Sequence, residues 1–334
     1  MTEFLNNSSE CKEIIEEIIV KIEKEEEVEK SLFSSIDLRN ICLKQDFIVS
    51  GKIEKDDNTI HYIIGFDGHG TNSCINLITS LTKEDFDLFA DKVSTVKEIF
   101  EYVENYRKTK NLDMSNSGAT CYVMKMCINK VTKKGVVIVE HCGDSEIHVF
   151  KNNVKIFTSE FHDGFNEKEM ERLIKRNAVI KGREKIEGGS FKVIDSENLA
   201  PCKSCYINFK NCEFAMTQSL GHDGITGCEP EYWEYEFDLK EHIRIVGFSD
   251  GVGDILNHEK DGNIIASSII SAREIASFAE SRWKKEWNQK LRVLNKNTKQ
   301  PIKDKNGNDV YVSKKIQFPQ NGWDDISCGV LEWK

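Results

Sequence analysis

Between residues 10 and 32 the apolar positions fall at Ile14, Ile15, Ile18, Ile19 and Ile22, with Glu and Lys on the other faces. That spacing predicts a charged amphipathic helix that docks on the main body or on a partner, with the body the favoured target. The pattern then shortens its period. Residues 60–66 form a mostly apolar run that leads straight into Asp67-Gly68-His69-Gly70, and a run of that length predicts a strand. Helical patterns follow over 73–81 and 96–106. Strands are predicted at 120–129, 136–140, 146–150 and 154–157, the last two joined by Lys151-Asn152-Asn153, a turn of hairpin chemistry. Residues 168–178 return to helix, with Met170, Leu173 and Ile174 on one face. Residues 182–211 are polar and aperiodic and read as a flap or mobile loop. Further strands are predicted at 214–220, 232–237, 243–248 and 326–332, with a helix over 272–290 between the last two. Asn306-Gly307 marks the tip of an inserted hairpin over about 300–313.

Runs of strands broken by helices in pairs, without strict βαβ alternation, predict an α+β fold: a β-sandwich with helices packed outside it. Residues 1–32 are read as the N-terminal helix and residues 33–334 as one domain. Of the 334 residues, 39% are hydrophobic, enough for a sizeable core. Lys and Arg total 46 against 56 Asp and Glu, a net charge of −10, which repels phosphate backbones and argues against a nucleic-acid partner. No apolar run approaches the roughly 18 residues of a membrane span. The first residues lack a basic stretch followed by an apolar one, and the 11 cysteines are odd in number and scattered. A cytoplasmic or nuclear protein with reduced thiols is expected, with a monomer as the oligomeric state.

Asp-Gly pairs recur, and most are turns in which Asp bonds its own backbone and Gly supplies positive φ. Two differ in context. Asp67 ends the strand predicted at 60–66, and Asp250 follows the one at 243–248. The acidic pair Asp324-Asp325 precedes a third apolar strand. If those strands are neighbours, their carboxylates converge at one sheet edge and repel, and bound cations are the usual remedy. Oxygen donors suit Mg²⁺ or Mn²⁺ better than Zn²⁺. Two such ions about 3.5–4 Å apart could share a carboxylate and activate water for in-line attack on phosphorus.

Competing motifs fall short. Gly65 to Thr71 has the outer glycines of a P-loop but Thr71 where its Lys belongs. Gly251-Val252-Gly253 lacks the third glycine of a dinucleotide fingerprint. Asp304 to Asp309 begins like a calcium loop without its later glycine and glutamate. Cys202 and Cys205, with Cys212 and Cys228 beyond, offer one CxxC, a weak zinc signal more consistent with ordinary loop thiols.

The ordered set Asp67-Gly68-His69-Gly70, Ser117-Gly118-Ala119-Thr120, Gly143-Asp144-Ser145, Ser219-Leu220-Gly221, Ser249-Asp250-Gly251-Val252-Gly253-Asp254 and Asp324-Asp325-Ile326-Ser327 resembles the protein phosphatase 2C, or PPM, family of metal-dependent Ser/Thr phosphatases. The resemblance covers roughly residues 46–330. It implies a central antiparallel β-sandwich flanked by pairs of helices, four layers in αββα order. It also implies a phosphoprotein substrate, hydrolysed through water activated by two Mg²⁺ or Mn²⁺ ions. Asp67 matches the aspartate bridging the two metals, and Gly68 the carbonyl ligand. Asp250 and Asp324 match ligands of the other metal, and Asp144 and Asp254 the carboxylates of a third, weaker one. His69 matches the general acid on the leaving alkoxide.

The resemblance also has departures. Where the family has an acidic pair in an early strand, Asp46 keeps one acid and joins the expected metal set, while Gln45 replaces the other. The family's phosphate-gripping Arg falls near Ile41, leaving Arg39 or Lys44 as the nearest cations for phosphate. Gln218 stands where the family commonly has Arg, and His222 where it has Asp. An active phosphatase is the leading expectation. A pseudophosphatase that binds metal, phosphopeptide or a partner protein is the alternative.

Overall fold

The structure, a computed structural model, describes residues 30–176, 180–209 and 212–334. Most of the helix expected over 10–32 lies outside the described residues, and Leu32 itself opens a strand. The chain order begins β1 (Leu32–Arg39), β2 (Asp46–Lys55) and β3 (Asn58–Gly70), then α1 (Ser73–Thr79), α2 (Lys83–Ala90) and α3 (Thr95–Lys110). It continues with β4 (Ser117–Ala119), β5 (Cys121–Asn129), β6 (Lys134–Cys142), β7 (Glu146–Lys151), β8 (Val154–Thr158) and α4 (Glu167–Lys175). Then come β9 (Ile180–Val193), β10 (Asn198–Phe209), β11 (Cys212–Phe214), β12 (Leu220–Gly221), β13 (Glu231–Asp238) and β14 (Ile243–Phe248). The chain closes with α5 (Asp250–Gly253), α6 (Gly262–Ala266), α7 (Ala272–Lys284), β15 (Glu286–Arg292), β16 (Tyr311–Gln317) and β17 (Ile326–Trp333).

Two sheets stack face to face. One runs β1-β17-β14-β7-β8; the other runs β12-β4-β3-β5-β6-β13, with β2 added beside β3. Neighbouring strands in both run antiparallel. Between them lies an apolar layer that includes Ile63, Met124, Met126, Ile147, Val149, Ile245 and Leu331. Each such side chain contributes roughly 1.5–3 kcal/mol on burial. The outer face of the β3-containing sheet is covered by α1–α3 through Ile75, Ile78, Phe86, Val96, Ile99 and Val103. On the opposite side α7 packs Ala272, Ile275, Ala276, Ala279 and Trp283 onto Val246, Phe248, Cys328 and Val330. The helical spacing of those α7 residues makes one buried stripe. The layers are therefore αββα, the α+β arrangement expected.

Several expectations change. Within the described part of 182–211, β9 and β10 pair antiparallel where a loop was expected, in a third sheet of order β11-β10-β15-β16, while residues 210 and 211 lie outside the described residues. In that sheet β10 meets β15 in parallel over Asn198–Leu199. The strand signal was diluted because the buried Cys205 and Ile207 are flanked by Ser204 and Asn208, and the exposed Lys203 stands where the alternation calls for an apolar residue. The helix predicted to residue 290 stops at Lys284, since Lys285 is extended and the Trp287 indole N–H caps the Arg282 carbonyl at 2.8 Å. Residues 214–220 split into β11 and β12. In α4, Met170 and Leu173 are buried while Ile174 points to solvent. The helix α2 was missed, although Thr82 and Asp85 form a capping box at its start. The Asn152-Asn153 turn is as read, with φ of 49° and 64°. Around Asn306-Gly307 a tight turn lies inside the longer connection between β15 and β16, closed by a bridge from Lys303 to Asp309.

Candidate functional site

The carboxylates collect where strand ends of the two stacked sheets meet. Asp46 and Asp67 are direct partners in the β2–β3 ladder. Asp250 opens α5 immediately after β14, and Asp324 precedes β17, which pairs with β14. Asp144 stands just before β7, the other neighbour of β14, and Asp254 follows α5 at the exposed rim. Burial raises Asp67 well above the usual carboxylate range, and the repulsion of Asp46, Asp324 and Asp144 adds to it. Asp250 is raised likewise, by burial and then by Asp67, Asp324, Asp254 and Asp144. Burial pushes Asp46 up to about 8 and both Asp144 and Asp324 up to about 6. Asp46 Oδ2 and Asp250 Oδ1 are buried without a hydrogen-bond partner.

Such a cluster fits divalent cations. The donors are oxygens only, the charges are alike, and two buried carboxylate oxygens have lone pairs that nothing satisfies. That donor set suits a hard ion such as Mg²⁺ or Mn²⁺.

Local backbone packing explains the Asp-Gly pairs here. A Cβ on Gly251 would lie 1.8 Å from the Asp325 carbonyl oxygen, and one on Gly68 would lie 2.7 Å from the Gln45 carbonyl oxygen. The indole N–H of Trp283 holds the Gly251 carbonyl at 2.7 Å, tying α5 to α7. The two acids of the 324–325 pair divide their work. Asp325 accepts the backbone N–H groups of Cys42 at 2.7 Å and Gln45 at 2.8 Å. Its buried carboxylate thereby fixes the turn between β1 and β2, and Asp324 is left to the cluster.

His69 lies past Asp67 on β3, which runs through the whole motif to Gly70 instead of ending before it. Its Nε2 meets the Nε2 of His222 at 2.7 Å, with the rings stacked 4.8 Å apart. His222 Nδ1 lies 2.9 Å from the Ser115 carbonyl. A carbonyl only accepts, so that nitrogen carries a proton. One proton is left to share between the facing Nε2 atoms. Burial and the adjacent His222 hold the His69 imidazole down to about 3. His69 is therefore neutral, with Nε2–H donating to His222 and a buried Nδ1 that has no hydrogen-bond partner.

Of the two cations expected at phosphate, Arg39 is placed otherwise. Arg39 donates to Asp37, Glu280, Ser277 and the Arg273 carbonyl, so its guanidinium is spent on the α7 face and not on the cluster. Lys44 is exposed in the β1–β2 turn, with φ of 60°. Ile41 packs against the apolar cluster beneath α7. Gln218 is buried, donating to Glu169 and accepting the Glu229 N–H. Among the described residues, Cys202, Cys205 and Cys228 do not gather into a metal-holding group. Cys228 lies against Cys142 at 3.9 Å in the core, while Cys205 packs beneath Gly164 and the Cys212 side chain lies outside the described residues.

Three residues of the site were not read from the sequence as part of it. His222, noted there only as a departure from the family pattern, is one. Another is Tyr122, fully buried, with its hydroxyl unpaired and its ring held where Gly65 has no side chain, since a Cβ there would lie 2.1 Å from Tyr122 Cζ. The third is Glu146, which adds negative charge beside Asp144 and Asp254. The strand pattern over 120–129 does not show that Asp46 and Asp67 act on the Tyr122 hydroxyl.

The model of the family described as Protein phosphatase 2C matches residues 33–292. No curated protein matches the chain. Among solved structures it is similar to a C. elegans sex determining protein, with TM-score 0.49 and 14% identity over 91% of this chain and 64% of that one. It is also similar to the S. agalactiae serine/threonine phosphatase, with TM-score 0.47 and 15% identity over 90% of this chain and 98% of that one. The serine-threonine phosphatase 2C from Toxoplasma gondii gives TM-score 0.49 and 13% identity, over 91% of this chain and 95% of that one.

Proposed function

The chain belongs to the protein phosphatase 2C family, and from that premise we propose that it is a Mg²⁺- or Mn²⁺-dependent hydrolase of phosphoserine and phosphothreonine in proteins. The observation that carries this reading is the cluster of Asp67, Asp250 and Asp324, ringed by Asp46, Asp144 and Asp254, where like charges are buried together. Asp67, the Gly68 carbonyl, Asp250 and Asp324 would hold two ions, with Asp46 beside Asp67. Asp144 and Asp254 would hold a third, weaker one. When bound, such ions polarise a phosphoryl oxygen and lower the pKa of water.

The chain's own residues do the rest. Asp67 and Asp250 orient what they bind, because both are fixed by β-ladder and helix-start backbone. His69 would serve as general acid on the departing Ser or Thr oxygen, a role that requires it first to take up a second proton, because in the resting site its single proton is engaged by His222. His222, anchored on the Ser115 carbonyl, sets the plane and tautomer of that ring. The reading places the protein in the cytoplasm or nucleus as a monomer acting on phosphoproteins. The test is phosphate release from a phosphothreonine peptide in Mn²⁺, in Mg²⁺ and in chelator. Metal-dependent turnover is expected. A folded protein that binds the ions and releases no more phosphate than in chelator overturns the reading and leaves a metal-binding pseudophosphatase.

A further inference from the structure

We propose that Glu146, His148 and His258 form a binding site for a transition-metal ion of the Zn²⁺ class, beside the all-oxygen cluster but built on different chemistry. Glu146 and His148 are two apart on β7, so strand alternation sends both to one face. His258 comes from the segment after α5 and meets them there. One ligand atom from each lies within 4.8 Å of the other two. Glu146 Oε2 is 3.0 Å from His148 Nε2, and Glu146 Oε1 is 3.4 Å from His258 Nε2. A tetrahedral zinc site with bonds of about 2.0–2.1 Å has ligand-to-ligand edges of about 3.3 Å. Two of the three edges stand close to that spacing, each through a different Glu146 oxygen, and the third lies within 4.8 Å.

The surroundings agree with a metal-ligand role. His148 Nδ1 lies 3.1 Å from the Thr158 hydroxyl, a partner that can take the Nδ1 proton and leave the Nε2 lone pair for an ion. Glu146 and His148 are buried at 4% and 1% exposure, which removes competing water, while the His258 side chain is 41% exposed and gives an ion a way in.

Two imidazoles and one carboxylate prefer Zn²⁺ to Mg²⁺, whereas the neighbouring aspartates offer oxygen only. The two sites would therefore sort ions by ligand type. Three protein ligands leave a fourth position for water or another donor. The site also touches the catalytic cluster mechanically. A Cβ on Gly253 would lie 2.5 Å from Glu146 Oε1, so Glu146 rests against the end of α5, next to Asp254. An ion held here ties β7 to the segment that carries Asp250 and Asp254. The alternative is plain hydrogen bonding, with a protonated His258 serving as the cation for Glu146.

The test is equilibrium Zn²⁺ binding to the full chain in a large excess of Mg²⁺, which occupies the oxygen donors, with Co²⁺ as a spectroscopic substitute. Wild type and Asp250→Asn should each bind one Zn²⁺ alike, and His258→Gln should bind it at least about 10-fold more weakly. His258→Gln changes a partly exposed side chain and should fold, which a thermal melt verifies. His148→Gln should behave the same way if it folds. Bound Co²⁺ should show the visible absorption of a four-coordinate site in wild type and lose it in His258→Gln. Equal Zn²⁺ affinity in wild type and His258→Gln, loss in Asp250→Asn alone, or no Zn²⁺ binding at all each overturns the proposal.

Discussion

Asp46 and Asp67 stand directly opposite one another in the β2–β3 ladder, two buried carboxylates in register. Like charges so placed destabilise a sheet, and the same repulsion becomes affinity for a cation. Asp46→Asn should therefore raise the melting temperature of metal-free protein. A relief of 1 kcal/mol corresponds to about 2–4 °C in a domain of this size. The variant should also lose much of the stabilisation that Mn²⁺ gives wild type. Thermal melts with chelator and with Mn²⁺ check both halves, and a lower melting temperature in chelator would show that packing outweighs repulsion at Asp46.

The facing Nε2 atoms of His69 and His222 predict a substrate-dependent defect. His69→Gln should lose roughly 10²–10⁴-fold in turnover on alkyl phosphates such as phosphothreonine peptides. Aryl phosphates leave as stabilised phenolates and should lose far less. His222→Ala should show a weaker version of the same split, because it releases the ring without removing it. Steady-state kinetics on both substrate types decide, and equal losses on each would give His69 a structural role only.

Asp325 predicts a stability effect separate from the cluster. Its carboxylate accepts the N–H groups of Cys42 and Gln45, and hydrogen bonds to a charged group contribute roughly 1.5–3 kcal/mol. Asp325→Asn should destabilise the fold by about that much in urea unfolding, in chelator as well as in Mn²⁺. A loss seen only with metal present would place Asp325 in the ion site instead.

Two buried histidines outside the site set a pH dependence. His162 Nδ1 accepts the Gly143 N–H at 3.2 Å, and its ring lies 4.8 Å from that of His141. Burial holds both down to about 3, with Arg172 facing His162 and His162 facing His141. The unfolded chain takes up their protons near pH 6.5 and the folded one does not. Their stabilisation is full above pH 6.5 and is lost as pH falls toward 3, by up to about 1.4 kcal/mol per pH unit for each histidine. His162→Asn, which keeps an acceptor for Gly143, should flatten the fall in unfolding free energy between pH 6 and 4. An unchanged slope would mean that His162 titrates normally in the fold.

The layer order and most strands were legible because a buried strand needs only a local apolar run, and 243–248 and 326–332 each carry one. Asp67, Asp250 and Asp324 drew attention for a related reason, since each sits where such a run starts or stops. Only the family resemblance chose Asp324 over Asp325, because what Asp325 does depends on backbone N–H groups of Cys42 and Gln45 about 280 residues away. Arg39 was unreadable for the same cause: its partner Glu280 lies 241 residues on. The β9–β10 pair escaped notice because Lys203 breaks the alternation that Cys205 and Ile207 keep, and Ser204 and Asn208 flank them. His222 meets His69 across 153 residues, and no local pattern marks such a meeting.

The central claim is that buried aspartates hold the ions on which phosphomonoester hydrolysis depends. Its most direct measurement is the hydrolysis rate of a generic aryl phosphate in Mn²⁺ by wild type, Asp67→Asn and Asp250→Asn, each shown to be folded. An aryl phosphate makes few contacts with protein, so the rate reports the ion site and not substrate gripping. The account predicts metal-dependent hydrolysis by wild type and its abolition in both variants. Wild-type turnover by Asp250→Asn in Mn²⁺ would contradict it.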